Sequence, residues 1–410
     1  MRQIFSIILC LTFGVINGQD LLNFPFTEVP EPQNKLEFNA DFDYSSNAID
    51  NYLVDRFIAG GLIDYDRLEE MNSKMDGSNS FGGDFDLGLR YRAVPDSINW
   101  KPGRTLFLEF GNAGYGFIEF PEDLFELTFM GNSNEVGNTM NLGQSRAQAM
   151  NYQYAGLGLM NESTGSYISF NIINVQNYFS SEIYQFDLYT SENAFDIEID
   201  YNGEVVLSDS LRGDFLSNSG TGAVLNGRYN FKLPKSENLL SFEVKNLGVA
   251  VLNNPTRTLR ADSTFSFSGI DLNQVLDSEN PLTTVSLEDS LSWTESSGNE
   301  MLEMPTVLKS EYYHKLNDLD YMMISAQKTF FTRQRAVFEL SYLHKETERI
   351  SYNLGFAVGG YGGPRMSAGF TYKSKNWLLH LRTRHLVGAF LNSANGRSLS
   401  FGVSRNFNQN

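Results

Sequence analysis

The sequence has few basic residues, a single cysteine and almost no long apolar run, and each scarcity excludes a class of protein. Its 31 basic and 49 acidic side chains give a net charge of −18, without the basic patch that a nucleic-acid binder requires. One cysteine cannot build a disulfide scaffold. Beyond the N-terminus no apolar run reaches the roughly 20 residues that a membrane-spanning helix needs, which excludes a helical membrane protein.

Aromatic residues and glycine are abundant instead. The chain contains 32 Phe, 20 Tyr, 3 Trp and 35 Gly, which excludes a disordered protein because disordered chains are poor in aromatics. The composition therefore indicates an acidic, folded protein that is rich in β-structure.

The first 18 residues have the layout of a secretory signal peptide. Arg2 supplies the positive charge, residues 4–15 are apolar, and Gly18 is a small residue at a cleavage point. Cleavage there would remove Cys10 and leave a mature chain without cysteine. Export of a chain without cysteine favours a location in a bacterial envelope. The alternative to a signal peptide is that the first 18 residues form a buried N-terminal helix.

Residues 19–80 predict an extended lead-in followed by two short helices. Ser46 or Asn47 is expected to cap the first helix, with Gly60 and Gly61 ending it, and Asp64 is expected to cap the second. A third helical turn is expected to begin at Pro121. Residues 19–80 are therefore a candidate plug for the domain formed by residues 81–410.

Residues 81–410 alternate between apolar and polar side chains with a period of two, which is typical of strands with one apolar and one wet face. The last four such segments are joined by turn sequences in an antiparallel meander. Segments of this length match transmembrane strands. We therefore predict an all-β fold, an antiparallel transmembrane β-barrel of about 14 strands, with a soluble β-sandwich as the alternative. Residues 277–305 are expected to form a long external loop or excursion.

Several stretches resemble an uncharacterised family of outer-membrane β-barrels of the Bacteroidota, described only as a domain of unknown function. The most specific is Pro121-Glu122-Asp123-Leu124 followed by Gly131-Asn132. The others are residues 63–75, 82–92, 105–120 and 262–269 and the closing glycine-rich hairpins. That family is similar in architecture to the long-chain fatty-acid transporter barrels and to barrels of type IX secretion and gliding. The resemblance implies no activity and no site residue.

Two polar patterns are candidate sites. His380, Arg382 and Arg384 alternate along one strand and would point inward, where guanidinium groups can hold a carboxylate or phosphate; pairing with acidic neighbours is the alternative. A second set alternates in the same way and could bind a divalent cation or simply form a wet face: Asp196, Glu198 and Asp200.

Two aromatic residues of the first predicted helix, Tyr52 and Phe57, are candidate contacts of a hatch. We find no cofactor-binding motif and no nucleophile with a matching base, and therefore expect no cofactor and no enzyme activity.

The leading hypothesis is a porin-like barrel that binds or passes a small, hydrophobic solute across the outer membrane. A structural barrel that binds a protein partner of an envelope machine is the alternative, and a soluble secreted β-sandwich that binds a ligand is the second alternative. Expected partners are outer-membrane lipid, a hydrophobic small molecule and an envelope protein, but not nucleic acid. An apolar cavity or lateral gap would favour the transporter, whereas a lumen filled by side chains would favour the structural barrel.

Overall fold

The computed structural model describes residues 34–93, 103–208, 217–234, 236–253, 255–267 and 292–407. The predicted signal peptide, the first part of the lead-in and most of the predicted loop at 277–305 lie outside the described residues. The structure of these segments therefore stays a prediction, apart from residues 292–305.

Nineteen strands are present in the described residues. In chain order they are β1 (Asn34–Ser46), β2 (Asn79–Ala93), β3 (Arg104–Phe120), β4 (Thr139–Asn141), β5 (Ser145–Asn161), β6 (Ser166–Thr190), β7 (Ile197–Leu207), β8 (Gly220–Lys232), β9 (Leu239–Leu252), β10 (Arg257–Phe267), β11 (Thr294–Ser297), β12 (Glu300–Glu303), β13 (Val307–Lys315), β14 (Asp320–Thr329), β15 (Arg335–Lys345), β16 (Ile350–Gly360), β17 (Arg365–Lys373), β18 (Trp377–Thr383) and β19 (Gly396–Phe407).

Fourteen of these strands close a barrel, in the order β1-β2-β3-β5-β6-β8-β9-β13-β14-β15-β16-β17-β18-β19. All neighbours are antiparallel, and the ring closes because β1 pairs with both β2 and β19. In the register of that closure, Asp41 lies opposite Asp86 on one side and Ser400 on the other. The prediction of a closed antiparallel barrel of about 14 strands is confirmed, and the β-sandwich alternative is wrong.

The predicted alternation sorts side chains between the outside and the lumen. On β16, Leu354 points outward and is 51% exposed, whereas its neighbour Asn353 points inward and is buried. The same alternation repeats around the ring and gives the outer surface a continuous apolar belt that includes Leu108, Phe170 and Phe401. Such a surface is what a barrel presents to the hydrocarbon of a bilayer.

The two ends of the barrel differ. We call one of them the near end: it is the end at which β1 begins and β19 ends. Its connections include short turns such as residues 346–349 and 374–376. The far end carries the long connections at residues 47–78, 121–144 and 384–395.

Three helices cover the far end: α1 (Asn51–Ala59), α2 (Tyr65–Asn72) and α3 (Glu122–Phe129). The predicted cap of the first helix is wrong. The Ser46 hydroxyl accepts from the backbone N–H groups of Ala48 and Ile49 and so shapes a turn, and Asp50 caps α1 by accepting from Leu53 N at 3.1 Å. The predicted cap of the second helix is confirmed, because Asp64 accepts from Asp66 N at 3.1 Å.

The structure differs from the predicted domain boundary at residue 81. The barrel begins at Asn34, because β1 is the strand that closes it, and α1 and α2 form the connection between β1 and β2. One apolar cluster holds these helices against the far end, and its buried members include Tyr44, Leu53, Leu68, Met71, Phe81, Phe120 and Phe125.

A small sheet extends the barrel wall beyond the far end. The strand β6 has 25 residues, and its second half pairs with β7 on one side and β4 on the other, while β7 pairs with β10 and β10 with β11. For residues 277–305 the sequence predicts a loop or an excursion, and their last part is an excursion. That part forms β11 and β12, and Trp293 packs against Tyr201 with ring centroids 5.5 Å apart.

None of the helices in the described residues has the length and apolar character needed to cross a membrane.

Candidate solute chamber in the lumen

The lumen nearer the near end is crossed by a network of buried ion pairs. Arg90 on β2 donates from Nη2 to Glu109 Oε2 at 2.7 Å, and the other carboxylate oxygen accepts from Ser169 Oγ and Asn171 Nδ2. Alternation places all four groups on the inner face, since each lies in phase with other buried positions of its strand. Because a buried charge is costly unless it is paired and hydrogen-bonded, this network is stable only when complete.

A second network surrounds Glu339 on β15. Its Oε1 accepts from Arg382 Nη2 at 2.5 Å, from Ser341 Oγ at 2.7 Å and from Ser367 Oγ at 3.0 Å. Three strands, β15, β17 and β18, thus contribute to one buried carboxylate site.

The structure brings His380, Arg382 and Arg384 together on the lumen side, as the sequence pattern predicts. Both arginines are paired with acidic neighbours, Arg382 with Glu339 and Arg384 with Asp43 at 3.0 Å. The pairing alternative therefore describes the two arginines. They are held by the protein itself rather than left open for an anionic ligand.

A cavity of about 190 Å³ remains in the lumen beside these networks. We call it the lumen chamber. Its walls include Asp84, Asp86, Ala113, Tyr115, Tyr152, Tyr154, Val224, Tyr361, His380, Arg382 and Arg384.

The tyrosines of the lumen chamber have fixed positions. Tyr154 Oη donates to Asp86 Oδ1 at 2.8 Å, and Tyr152 Oη accepts from Asn246 Nδ2 at 3.1 Å. The ring of Tyr361 occupies the space beside Gly82, where an added Cβ would lie 2.5 Å from its Cε2 atom, so only glycine is compatible at that position. These contacts give the chamber rigid aromatic walls.

Toward the far end, an apolar cluster fills the side of the lumen that β3 to β9 form, while Asp43 and Arg384 form an ion pair on the β1 side. The members of the cluster come from β3, β5, β6, β8, β9 and the β12 region and include Phe117, Met150, Ile173, Val175, Leu252 and Met304. Tyr361 stacks on Phe117 with ring centroids 6.2 Å apart. The lumen chamber therefore lies between a charged region and an apolar one.

Sequence reasoning missed the chamber carboxylates. Asp84 and Asp86 alternate with Phe85 and Leu87, and this alternation predicts a strand without marking its polar face as a site. Their partners in the β1–β2 register are Asp43 and Asp41, which lie within residues 19–80, a segment that the sequence predicts to precede the barrel.

The hatch candidates lie outside the lumen chamber. Tyr52 Oη accepts from Asp64 N at 3.1 Å and its ring lies under the guanidinium groups of Arg56 and Arg67. Phe57 packs against Phe129 with ring centroids 5.8 Å apart. Both residues hold the helices to one another at the far end and do not meet His380, Arg382 or Arg384.

The metal candidates are not brought together into a site. Asp196 precedes β7, and Glu198 and Asp200 lie on it, in the sheet beyond the far end of the barrel. Asp200 accepts from Gln185 Nε2 at 2.9 Å. Within the described ranges no group of three or more His, Cys, Asp or Glu side chains is placed to hold a metal ion.

A larger concavity, of about 910 Å³, lies on the outer face. Its floor consists of small outward residues, Gly227, Ser310 and Ala326, and larger ones such as Ile168 and Phe242 flank it. It also shares four lining residues with the lumen chamber: Tyr167, Glu243, Lys309 and Gln327.

Neither a family model nor a curated protein sequence matches the chain, so the family resemblance stays a prediction. Similar solved structures include the toluene transporter TodX of Pseudomonas putida, with 10% identity and a TM-score of 0.44 over 97% of both chains. A FadL homologue of Pseudomonas aeruginosa has 10% identity and a TM-score of 0.43 over 94% of this chain and 93% of that one. The translocator domain of the autotransporter NalP of Neisseria meningitidis has 8% identity and a TM-score of 0.31 over 92% and 89%. The likeness is distant, and the assignment of the fold rests on the strand pairing itself.

Proposed function

We propose that this protein is an integral outer-membrane β-barrel that binds a small solute with an apolar body in the lumen chamber and passes it inward. The observation that carries the proposal is the chamber, a cavity of about 190 Å³ whose lining combines tyrosines with charged and amide side chains at the boundary between ion pairs and an apolar cluster.

The apolar belt on the outside supports the membrane location. Outer-membrane barrels have short turns on the periplasmic side and longer loops outside the cell. By that rule the near end faces the periplasm. The helices and the small sheet beyond the far end face the exterior.

The size and walls of the lumen chamber define its ligand. A cavity of roughly 150 Å³ is known to hold a molecule the size of benzene, so this one suits a single ring or a short chain. The tyrosine rings favour an apolar body, while the polar groups at one side would fix its orientation.

The helices α1 and α2 would act as the cover. They seal the far end through the apolar cluster and through Asn51, whose Nδ2 donates to the backbone carbonyls of Gly388, Leu391 and Gly396. A solute that enters from outside must pass this cover. Uptake therefore requires α1 and α2 to move while the barrel wall stays closed.

The test is native mass spectrometry of the full chain extracted from outer membranes in a mild detergent. A bound small molecule is expected on the wild-type protein and on Ala155→Phe, which adds a ring to the outer face. It should be absent from Ala113→Phe, which adds the same ring inside the chamber. Equal occupancy of the two variants, or a wild-type barrel that carries no small molecule, would contradict the proposal.

One observation favours the alternative of a partner-binding barrel. A transmembrane strand needs only about 9–11 residues, yet β6 has 25 and carries β7, β10 and β11 beyond the far end. Much of the lumen in the described residues is also filled. A stoichiometric protein partner in the same spectra, lost when residues 184–204 and 259–266 are replaced by short turns, would support this second function.

We assign no catalytic role to the chamber, and the absence of enzyme activity stays a prediction from the sequence.

A further inference from the structure

One tyrosine reaches across the lumen on the far-end side of the lumen chamber. Tyr361 belongs to the connection between β16 and β17, yet its ring lies against Gly82 of β2 and stacks on Phe117 of β3. Around the ring of fourteen strands, β2 lies five places from β16 and β3 lies six, which is nearly the opposite wall. The side chain is buried, so it lies across the lumen at this level.

Tyr361 also marks the boundary between the lumen chamber and the apolar cluster. It lines the chamber, and it is a member of the cluster that fills the β3 to β9 side of the lumen. At the same end, the ion pair of Asp43 and Arg384 occupies the β1 side. A solute that comes from the far end therefore meets the Tyr361 ring before it reaches the chamber.

The backbone that carries Tyr361 can act as a hinge. Gly359 and Gly360 precede it with φ of 99° and 83°, and a Cβ added at Gly359 would collide with the carbonyl oxygen of Ala336, so only glycine is compatible there. We call residues 361–364 the hairpin tip. In the part of the chain that the structure describes, no hydrogen bond between backbone groups holds the hairpin tip. Segments with few such bonds open locally at low cost in free energy.

The hairpin tip has a cavity on each side. Tyr361 borders the lumen chamber, whereas residues 362–364 border a second cavity, of about 310 Å³. The second cavity lies between the hairpin and the connection at residues 384–395, and its walls include His385. The tip therefore has room to move away from the lumen while the strands of the wall stay paired.

We propose that Tyr361 is the gate of the lumen chamber. The hairpin tip swings into the second cavity, the ring leaves Phe117, and a solute passes through the space that the ring had filled. Stacking on Phe117 holds the gate closed, because aromatic pairs attract each other beyond the effect of the area they bury. The inference rests on the proposed function, since it takes the chamber as the solute site. It adds a second barrier beneath the cover that α1 and α2 form.

The contact between the hairpin tip and β1 offers a reversible lock. A Cβ built on Gly362 would lie 3.1 Å from the Cβ of Ser45. A disulfide needs a separation of roughly 3.5–4.5 Å, which a small shift of the tip provides. Ser45→Cys together with Gly362→Cys should therefore form a disulfide in oxidant and release the tip in reductant. The same molecule is then measured in both states.

The probe is fluorobenzene, followed by fluorine NMR on the purified full-length barrel in detergent. Its chamber-bound signal is the one that disappears in Ala113→Phe, which fills the chamber. Exchange spectroscopy gives the rate at which the bound probe leaves. We expect the oxidised lock to slow that rate by about ten-fold and the reductant to restore it, because the tip can open only in the reduced state. Ser45→Cys alone has no partner thiol and is the matched control, with the same rate in oxidant and reductant.

Substitutions of the gate residue supply the second reading. Tyr361→Ala removes the ring and should speed the release of fluorobenzene by about ten-fold. Tyr361→Phe restores a ring of the same shape and should reverse most of that increase. A residue that only stabilised the fold would change the unfolding midpoint but would not make the release rate depend on the lock.

Each other outcome overturns a definite statement. A lock that forms but leaves the release rate unchanged would overturn the gate and leave the solute chamber standing. Failure of the two cysteines to join would contradict the contact between the tip and β1 and overturn the gate as well, and so would a release rate that Tyr361→Ala does not raise. If no probe signal is lost in Ala113→Phe and the native protein carries no small molecule, the proposed function is overturned, and the gate with it.

Discussion

At a single strand position, the direction of the side chain decides what a substitution costs. Leu354 lies in the outer belt, whereas Leu62, in the connection between α1 and α2, is 91% exposed at the far end. The same substitution at the two sites therefore compares the cost in stability at a position facing lipid with the cost at a position facing water.

We predict that Leu354→Lys destabilises the barrel by about 2–4 kcal/mol, because a charge on the lipid face near the middle of the bilayer loses its hydration. The measurement is urea unfolding from lipid vesicles. Leu62→Lys is the matched control and should leave the unfolding midpoint nearly unchanged. Equal losses at the two positions would mean that β16 does not face lipid.

The buried pair of Glu339 and Arg382 gives a second prediction. Glu339→Gln keeps the volume but leaves the guanidinium without a counter-charge, and we expect a loss of about 3–5 kcal/mol in the same unfolding assay. Adding Arg382→Met should restore most of that loss, because the unpaired charge is gone. A double variant no more stable than the single one would contradict a pairing role. Glu295→Gln, which breaks an exposed pair with Arg257, should have little effect.

Residues of the site were only partly predictable from the sequence. The inward direction of His380, Arg382 and Arg384 follows from a period of two, and the structure places them so. The chamber carboxylates do not follow, because every strand carries polar residues at alternate positions. Only the register between β1 and β2 decides that Asp41 and Asp86 face each other.

At the scale of elements, α1 is too short to be stable alone, since isolated helices below about 12 residues are marginal in water. Its stability comes from the apolar cluster and from Asn51, which donates to three carbonyls and accepts from the Tyr44 hydroxyl at 2.9 Å. The helix and the connection at residues 384–395 are therefore held by the same side chain.

We predict that Asn51→Ala loosens both of these segments without opening the barrel. The lost hydrogen bonds should lower the free energy of local opening by about 1–3 kcal/mol. Amide hydrogen exchange should speed up in α1 and at residues 386–395 while the strands keep their protection. Glu69→Ala, at an exposed position on α2, is the control. Unchanged exchange in the Asn51 variant would show that the helix is held by the apolar cluster alone.

The sequence predicts where the helices lie better than it predicts which residues cap them. It predicts which segments are strands better than it predicts whether a strand lies in the barrel wall or in the sheet beyond it. Gly60, with φ of 77°, ends α1 as expected, because glycine adopts that conformation without strain. The alternation that predicts a strand is the same in the barrel wall and in the sheet beyond it. No local pattern therefore separates β7 and β10 from the fourteen wall strands.

At the scale of the whole molecule, the two ends of the barrel imply an orientation. The predicted signal peptide contains Cys10, so a mature chain cut at Gly18 has no cysteine and single cysteines can report exposure. We predict that Leu62→Cys reacts with a membrane-impermeant maleimide on intact cells. Lys375→Cys, in the short turn between β17 and β18, should react only after the cells are broken.

The parent chain is the control for that experiment and also tests cleavage, because it should not be labelled in either condition. Labelling of Lys375→Cys on intact cells would reverse the orientation, and with it the assignment of the helices to the outside.

The most direct test of the whole account is the location and heat stability of the native protein. A closed barrel of 14 strands with an apolar belt should fractionate with the outer membrane and migrate differently on denaturing gels before and after boiling, because the unboiled barrel stays folded in detergent. Recovery from the soluble periplasmic fraction, with the same mobility before and after boiling, would contradict it.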